Sequence, residues 1–330
     1  MIKNVLIYRT DRIGDLIVSC PSIITIKKSI ENSKITLITS HKNHNYAKNF
    51  NIFDEIIEYP KKNIFKKISF ILKLRKKKYD YIFIFDGKER SILSASLCKS
   101  SYKIALTAKE KFYYKFFKID FFKDTEKTDV DSVYQQMIKH AQIDNEIANY
   151  DFLSKKKDNN FSRNIPIKNY LHIHLDEKWF SELYISTYTK VNPSYDDFED
   201  FLNTLSYKYD IVITTGLKDL YLIDDLKKKY FEKITDKIFL KKSFGKLIFL
   251  IYKPYYEDIE SLLRNSKILL TCHGSVLHAS NSFNIKKFDV IEKRQESFYK
   301  RYTTYLSEYS SLYRVDFKEL KRKLLVEFKV

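Results

Sequence analysis

Glycine is rare in this chain, with five among 330 residues, and proline is equally rare at five. Cysteine occurs three times (Cys20, Cys98 and Cys272), in apolar or helical surroundings and never as C-x-x-C. That pattern argues against a disulfide framework and against a zinc site. No uninterrupted apolar run approaches the roughly 18 residues that a membrane-spanning helix needs. Met1-Ile2-Lys3-Asn4 leads straight into a short strand, without the apolar core and small-residue cleavage site of a secretory signal. These absences make the cytoplasm the expected location.

What is abundant is positive charge: 60 Lys and Arg against 42 Asp and Glu, a net +18. Lys, Ile, Asn, Tyr and Phe are common while Gly, Pro and Ala are scarce, as in proteins of AT-rich genomes. Lysine drift alone can therefore produce this charge, which informs only where it clusters. A nucleic-acid binder would carry basic and aromatic residues on a sheet face or a recognition helix. No such motif is present, and no nucleic-acid partner is expected.

Apolar runs alternate with amphipathic helical stretches. The first half fits strands at 4–8, 35–39, 80–85 and 102–106 and helices at 15–30, 63–77, 88–99 and 131–142. A polar stretch, Ser154 to Asn160, reads as a linker. The alternation then resumes, with strands at 169–175, 210–215, 247–251, 267–271 and 287–291 and helices at 196–208, 218–231, 256–265, 275–283 and 316–327. Such β/α alternation predicts parallel sheets with crossover helices. The expected domains are 1–160 and 161–330.

Four of the five glycines follow an apolar run: Gly14, Gly87, Gly216 and Gly274. Open α/β sheets bind ligands beyond the carboxyl ends of their strands, where these glycines fall. The first turn, Arg9-Thr10-Asp11-Arg12-Ile13-Gly14-Asp15, holds two of the chain's ten arginines. Asp15 suits two roles there. As a helix N-cap it would contribute about 0.5–2 kcal/mol; as a general base it would take a proton from an incoming hydroxyl. In the second half, Gly274 and Ser275 open helix 275–283, whose unpaired N–H groups suit a diphosphate, with His278 one turn on.

The stretch from Val5 to Ile23 resembles the opening of the lipopolysaccharide heptosyltransferases of glycosyltransferase family nine: a strand, an R-x-x-x-x-G-D turn, and a helix with a T/S-x-P run. Lys34–Ile38 and Asn51–Ile57 are similar to the family's next segments. Asp176-Glu177-Lys178-Trp179, Gly216-Leu217-Lys218-Asp219 and His273-Gly274-Ser275-Val276-Leu277-His278-Ala279 resemble it more loosely. The resemblance implies the GT-B fold, two Rossmann-like α/β domains facing each other across a cleft. It implies an inverting transfer of a heptose or related sugar from a nucleotide-sugar to a lipooligosaccharide-type, lipid-linked acceptor, with Asp15 as base and no metal or further cofactor. An ADP-linked donor is the first candidate.

By the same resemblance Lys178, Gly216, Asp219, His273, Gly274, Ser275 and His278 fall on the donor side. Arg9, Arg12, Gly14, Lys111 and Lys115 fall on the acceptor side. His273 departs from the pattern, standing where the family carries an acidic residue. That departure puts the donor sugar in doubt and admits a second reading, a catalytically inactive nucleotide-sugar-binding relative. Two basic stretches with interleaved aromatics, 61–78 and 109–118, suit peripheral contact with an anionic membrane at the inner face of the cell, although a solvated helix face is the ordinary explanation of such runs. Asp129-Val130-Asp131 imitates the D-x-D metal motif of another transferase fold. It precedes an amphipathic helix instead of ending a strand, so no metal is expected from it.

Overall fold

The computed structural model describes residues 2–107, 111–123 and 128–330. The chain forms two compact units, Met1–Phe152 with Lys300–Tyr305, and Leu153–Tyr299 with Leu306–Val330.

In the first unit, β1 (Lys3–Arg9), β2 (Ser33–Thr39), β3 (Glu55–Glu58), β4 (Lys78–Ile84), β5 (Lys99–Thr107) and β6 (Asp120–Lys123) make one sheet in the order β3-β2-β1-β4-β5-β6. Every pairing is parallel. Val5, Leu6, Ile7 and Tyr8 of the central β1 have no exposed surface, which is why the strand reads as a continuous apolar run instead of alternating. Each such side chain contributes about 1.5–3 kcal/mol on burial, against about 1–2 kcal/mol per residue of backbone ordering. Three longer crossover helices, Ile13–Ser29 (α1), Ile64–Arg75 and Glu89–Ser96, and a further helix after β6, Val130–His140, fall where the periodicity places them. The edge strands β3 and β6 are short and partly exposed, and alternation alone does not reveal them.

Asp129 and Asp131 are both occupied within this unit. Asp129 caps helix Val130–His140, accepting from the Ser132 N–H at 2.9 Å, and Asp131 accepts from the Tyr150 hydroxyl at 2.6 Å. The unit is completed from the far end of the chain. Arg301 accepts from the Val130 N–H at 3.2 Å, and the ring of Tyr305 stacks on Tyr150 at 3.9 Å.

The second unit contains β7 (Tyr170–Leu175), β8 (Ile211–Thr215), β9 (Glu232–Lys233), β10 (Ile238–Ser243), β11 (Lys246–Ile251), β12 (Ser266–Cys272), β13 (Lys286–Ile291) and β14 (Tyr309–Tyr313), in the order β14-β13-β12-β7-β8-β11-β10-β9. From β14 to β11 the pairings are parallel; β10 and β9 add an antiparallel extension. Where the sequence suggests a linker, Phe152–Lys155 is a short helix. It belongs to the second unit from Leu153 on, because the Arg264 guanidinium donates to the carbonyls of Leu153, Ser154 and Lys156. Among the described residues, no helix is long and apolar enough to cross a membrane.

Candidate functional site

In the first unit the strand order turns between β1 and β4, the position where open α/β sheets bind ligands. The two strand ends are knitted together there. Asp86, just past β4, accepts from the Thr10 N–H at 3.1 Å and the Ser91 hydroxyl at 2.7 Å. Lys88 Nζ and Arg90 Nη2 donate to the Thr10 carbonyl at 2.8 and 3.3 Å. Beside this knot lies a cleft of about 480 Å³. Its walls carry six cationic side chains, Arg12, Lys42, Lys61, Lys62, Lys88 and Arg90, and two carboxylates, Asp11 and Asp15.

The two carboxylates differ in access. Asp11 is paired with Arg9 at 3.3 Å and with Lys88, and its side chain is 17% exposed. Asp15 is 41% exposed, with Arg9 Nη2 at 3.8 Å from Oδ1. Helix α1 begins one turn earlier than an N-cap role for Asp15 requires: Arg12 is the capping position and Asp15 is the third helical residue. From there its Oδ2 accepts from the Arg12 N–H at 3.1 Å, the reach-back half of a capping box. Asp15 thus secures the helix start and still opens on the cleft.

Arg9 and Gly14, expected on the acceptor side, do not line this cleft. The Arg9 side chain is buried and donates to the carbonyls of Asp15, at 2.8 Å, and Phe85. It braces the turn from beneath. Gly14 is in the first turn of α1 and outside the cleft lining. Lys111 pairs with Glu89, and neither Lys111 nor the exposed Lys115 lines the cleft. Residues 109 and 110 of the second basic stretch lie outside the described residues. Lys88 and Arg90 were missed from sequence, although Gly87 at the end of an apolar run marked the place.

In the second unit the equivalent turn in strand order lies between β7 and β12. Lys178, after β7, pairs with the buried Asp176 and lies against Gly274 after β12. Burial alone would raise the Asp176 carboxyl; Lys178 and His174 outweigh it and hold the group well below the usual carboxylate range. Burial likewise opposes charge on Lys178, and Asp176 restores it, leaving the ammonium raised. Arg314 fixes the loop by donating to the Lys178 carbonyl at 2.6 Å. A side chain at Gly216 would collide with Asp176, its β-carbon only 2.8 Å from that of Asp176.

His273 is braced from behind: its Nδ1 hydrogen-bonds the fully buried Asp289 at 2.9 Å, and Tyr309 donates to the same carboxylate oxygen at 3.2 Å. Its ring sits 5.1 Å from that of His278 and 4.7 Å from that of Tyr299. Burial first, then His273 and Lys178, push the His278 imidazole well below its ordinary value, so it is neutral near pH 7. Ser275 opens a helix that runs only to Ser280, shorter than the expected 275–283. Six residues sum few peptide dipoles, and the cation that lies against this turn is Lys178. Asp219 stands apart on an exposed loop, held by Lys253 at 2.6 Å and by Tyr252.

No protein-family model matches the sequence, and no curated protein matches it. Solved structures do resemble it over its whole length. The glycosyl transferase family 9 structure from Veillonella parvula DSM 2008 has 13% identity and a TM-score of 0.68, covering 99% of this chain and 89% of its own. The E. coli heptosyltransferase WaaC with ADP-2-deoxy-2-fluoro heptose has 12% identity and a TM-score of 0.68, covering 99% and 100%. The UDP-GlcNAc 2-epimerase of Methanocaldococcus jannaschii has 13% identity and a TM-score of 0.55, covering 100% and 92%. The class that these strand orders and likenesses define is the GT-B fold, two Rossmann-like α/β units in one chain. At such identities the likeness is one of fold.

Proposed function

We propose that the chain is an inverting glycosyltransferase of the heptosyltransferase type. It would move a heptose or related sugar from a nucleotide-sugar, with an ADP-linked donor as first candidate, to a lipooligosaccharide-type acceptor. The observation that carries this reading is Asp15: of the two carboxylates lining the cation-rich cleft, it is the accessible one. Asp15 takes the proton of the acceptor hydroxyl. The oxygen attacks the anomeric carbon of the nucleotide-sugar, and the bond from that carbon to the diphosphate oxygen breaks on the opposite face.

The leaving nucleoside diphosphate gains negative charge as that bond breaks. Lys178 would meet that charge, with neutral His278 and the Ser275 hydroxyl as further hydrogen-bonding groups. Fixed donors of this kind commonly supply the largest electrostatic share of catalysis. His273 offers the remaining ring nitrogen, Nε2, to the sugar. A neutral imidazole whose Nδ1–H is bonded to a carboxylate presents Nε2 as an acceptor, and in that form it can take a hydrogen bond from a sugar hydroxyl as an acidic residue would. The buried Asp289 behind it supports a maintained site against the alternative of an inactive nucleotide-sugar-binding relative.

The test is a panel of ADP-, UDP- and GDP-linked sugars, scored by thermal shift and by release of nucleoside diphosphate in the presence of a lipooligosaccharide acceptor. Stabilisation together with acceptor-dependent release supports the transferase. Stabilisation without release by any donor supports the binding relative.

A further inference from the structure

Helix Ile64–Arg75 packs on its unit through Phe70 and Leu74, which are 7% and 2% exposed. Its other apolar stripe faces water. Ile64, Ile68 and Leu72 recur every four residues, and Phe65 stands beside them. They are 60%, 48%, 51% and 77% exposed. At 3.6 residues per turn these four share one arc of about 100°. Lys76, Lys73 and Lys66 lie on one side of the arc and Lys67 on the other. From Lys61 to Lys78 there are nine basic residues and no acidic one, and among the described residues only Lys73 and Lys77 find a nearby carboxylate, Glu55, at 3.8 and 2.6 Å.

We propose that this helix face docks on an anionic lipid surface, with Phe65 and the three aliphatic side chains entering the headgroup layer and the lysines meeting lipid phosphates. The two halves of that contact need each other. Each cation near an anionic leaflet is worth about 1 kcal/mol, and an amphipathic helix lying in the interface buries its apolar face about 5–10 Å deep. A nucleic acid would engage the lysines, since its backbone contacts are polar and charge-driven, and would give the exposed Phe65 and Ile64 no partner.

The surface adjoins the first unit's cleft. Lys61 and Lys62, immediately before the helix, line that cleft together with Asp15. Lys111 pairs with Glu89, the neighbour of cleft-lining Arg90, and the adjoining Phe112 and Phe116 are 91% and 81% exposed. Docking would therefore set the cleft at the bilayer surface. That this delivers a lipid-borne acceptor to Asp15 rests on the transferase reading; the docking itself does not.

The full-length protein is sedimented with vesicles of phosphatidylcholine alone and of phosphatidylcholine mixed with phosphatidylglycerol, at low and high salt. Binding is expected only to the mixed vesicles and is expected to weaken with salt, because the attraction is screened within about 8–10 Å at physiological ionic strength. Phe65→Ser with Ile68→Ser should lower vesicle affinity about tenfold or more, as should Lys66→Glu with Lys76→Glu. Both pairs are exposed, so melting should be unchanged. Phe65→Trp adds a second readout: the natural Trp179 is fully buried and gives a background that vesicles should not change, so a blue shift and shielding from acrylamide on vesicle addition report insertion of residue 65.

Equal binding to neutral vesicles, or no shift at Trp in the Phe65→Trp variant, overturns the proposal. So does loss of binding in the charge-reversed pair alone with displacement by poly(U), which marks a general polyanion surface. Docking without any sugar transfer would support the lipid surface and remove only its assigned purpose.

Discussion

Lys178 Nζ fills the space that a side chain at residue 274 would need. A β-carbon on Gly274 would stand 2.9 Å from the ammonium nitrogen and 3.1 Å from Cε. The glycine is what lets a lysine from the end of β7 lie across the end of β12, and the backbone φ of 172° at Gly274 is extended and open to any residue. Close approach, and not backbone freedom, accounts for the glycine here.

Gly274→Ala should therefore displace the ammonium while leaving the fold intact, because the colliding atoms are the end of a flexible side chain. Nucleoside-diphosphate affinity should drop about tenfold, in the range of one charge-assisted hydrogen bond of about 1.5–3 kcal/mol. Lys178→Ala should cost at least as much, and the double variant little more than Lys178→Ala alone, since both changes remove the same contact. Calorimetric titration with ADP and UDP checks this. Full affinity in Gly274→Ala would take Lys178 out of the binding site.

His273 can be divided by ring nitrogen. Asn at this position keeps an amide near Nδ1 and its bond to Asp289 but removes the group at Nε2; Gln does the reverse. The expected result is that His273→Asn binds nucleoside diphosphates normally yet loses the added affinity that the sugar confers, while His273→Gln retains part of it. The opposite order, with His273→Asn silent and His273→Gln damaging, would make His273 a structural partner of Asp289 and nothing more.

Much of this was legible in the sequence because central parallel strands buried on both faces read as apolar runs, as in β1, the second half of β4, β8 and β12, while β7 alternates Leu171, Ile173 and Leu175 with His172 and His174. Their carboxyl ends, and with them Asp15, Lys178, Gly274 and His278, follow directly. Edge elements were not legible: Glu55–Glu58, Glu232–Lys233 and Tyr309–Tyr313 are short and half exposed, so no alternation betrays them. Nor was the return of Lys300–Tyr305 to the first unit, since a ring stacked on Tyr150 leaves no local pattern. The placement of Arg9 turned on burial. Its turn is rich in charge, but the guanidinium is spent on carbonyls beneath the cleft. Asp289 was hidden inside an apolar strand, where a single carboxylate gives no hint of the histidine it holds.

Stability should carry the mark of Asp131. Burial, with a smaller push from Asp129, raises its carboxyl to about 6 despite the hydrogen bond from Tyr150. The folded state thus binds a proton that the unfolded state has released between about pH 4 and pH 6. Stability should fall as pH rises through that window and stay reduced above it. Asp131→Asn retains an acceptor for Tyr150 and has no charge to bury. It should be more stable than the natural protein by about 1–3 kcal/mol at pH 7, with the gap closing near pH 4. Urea unfolding at the two pH values checks both the sign and the window.

The transferase account stands or falls at Asp15. Asp15→Asn preserves size and an oxygen to accept from the Arg12 N–H, so helix α1 should start as before and melting should be nearly unchanged. Donor affinity, which the proposed function assigns to Lys178 and His278, should also hold. Only the capacity to take a proton is lost, and a positioned general base is worth about 10²–10⁴ in rate. The decisive measurement is sugar transfer by Asp15→Asn alongside its donor affinity and melting temperature. Transfer reduced about 10²–10⁴-fold with binding and melting retained is the predicted result; transfer at the natural rate would contradict the account and leave Asp15 as a residue that secures the start of a helix.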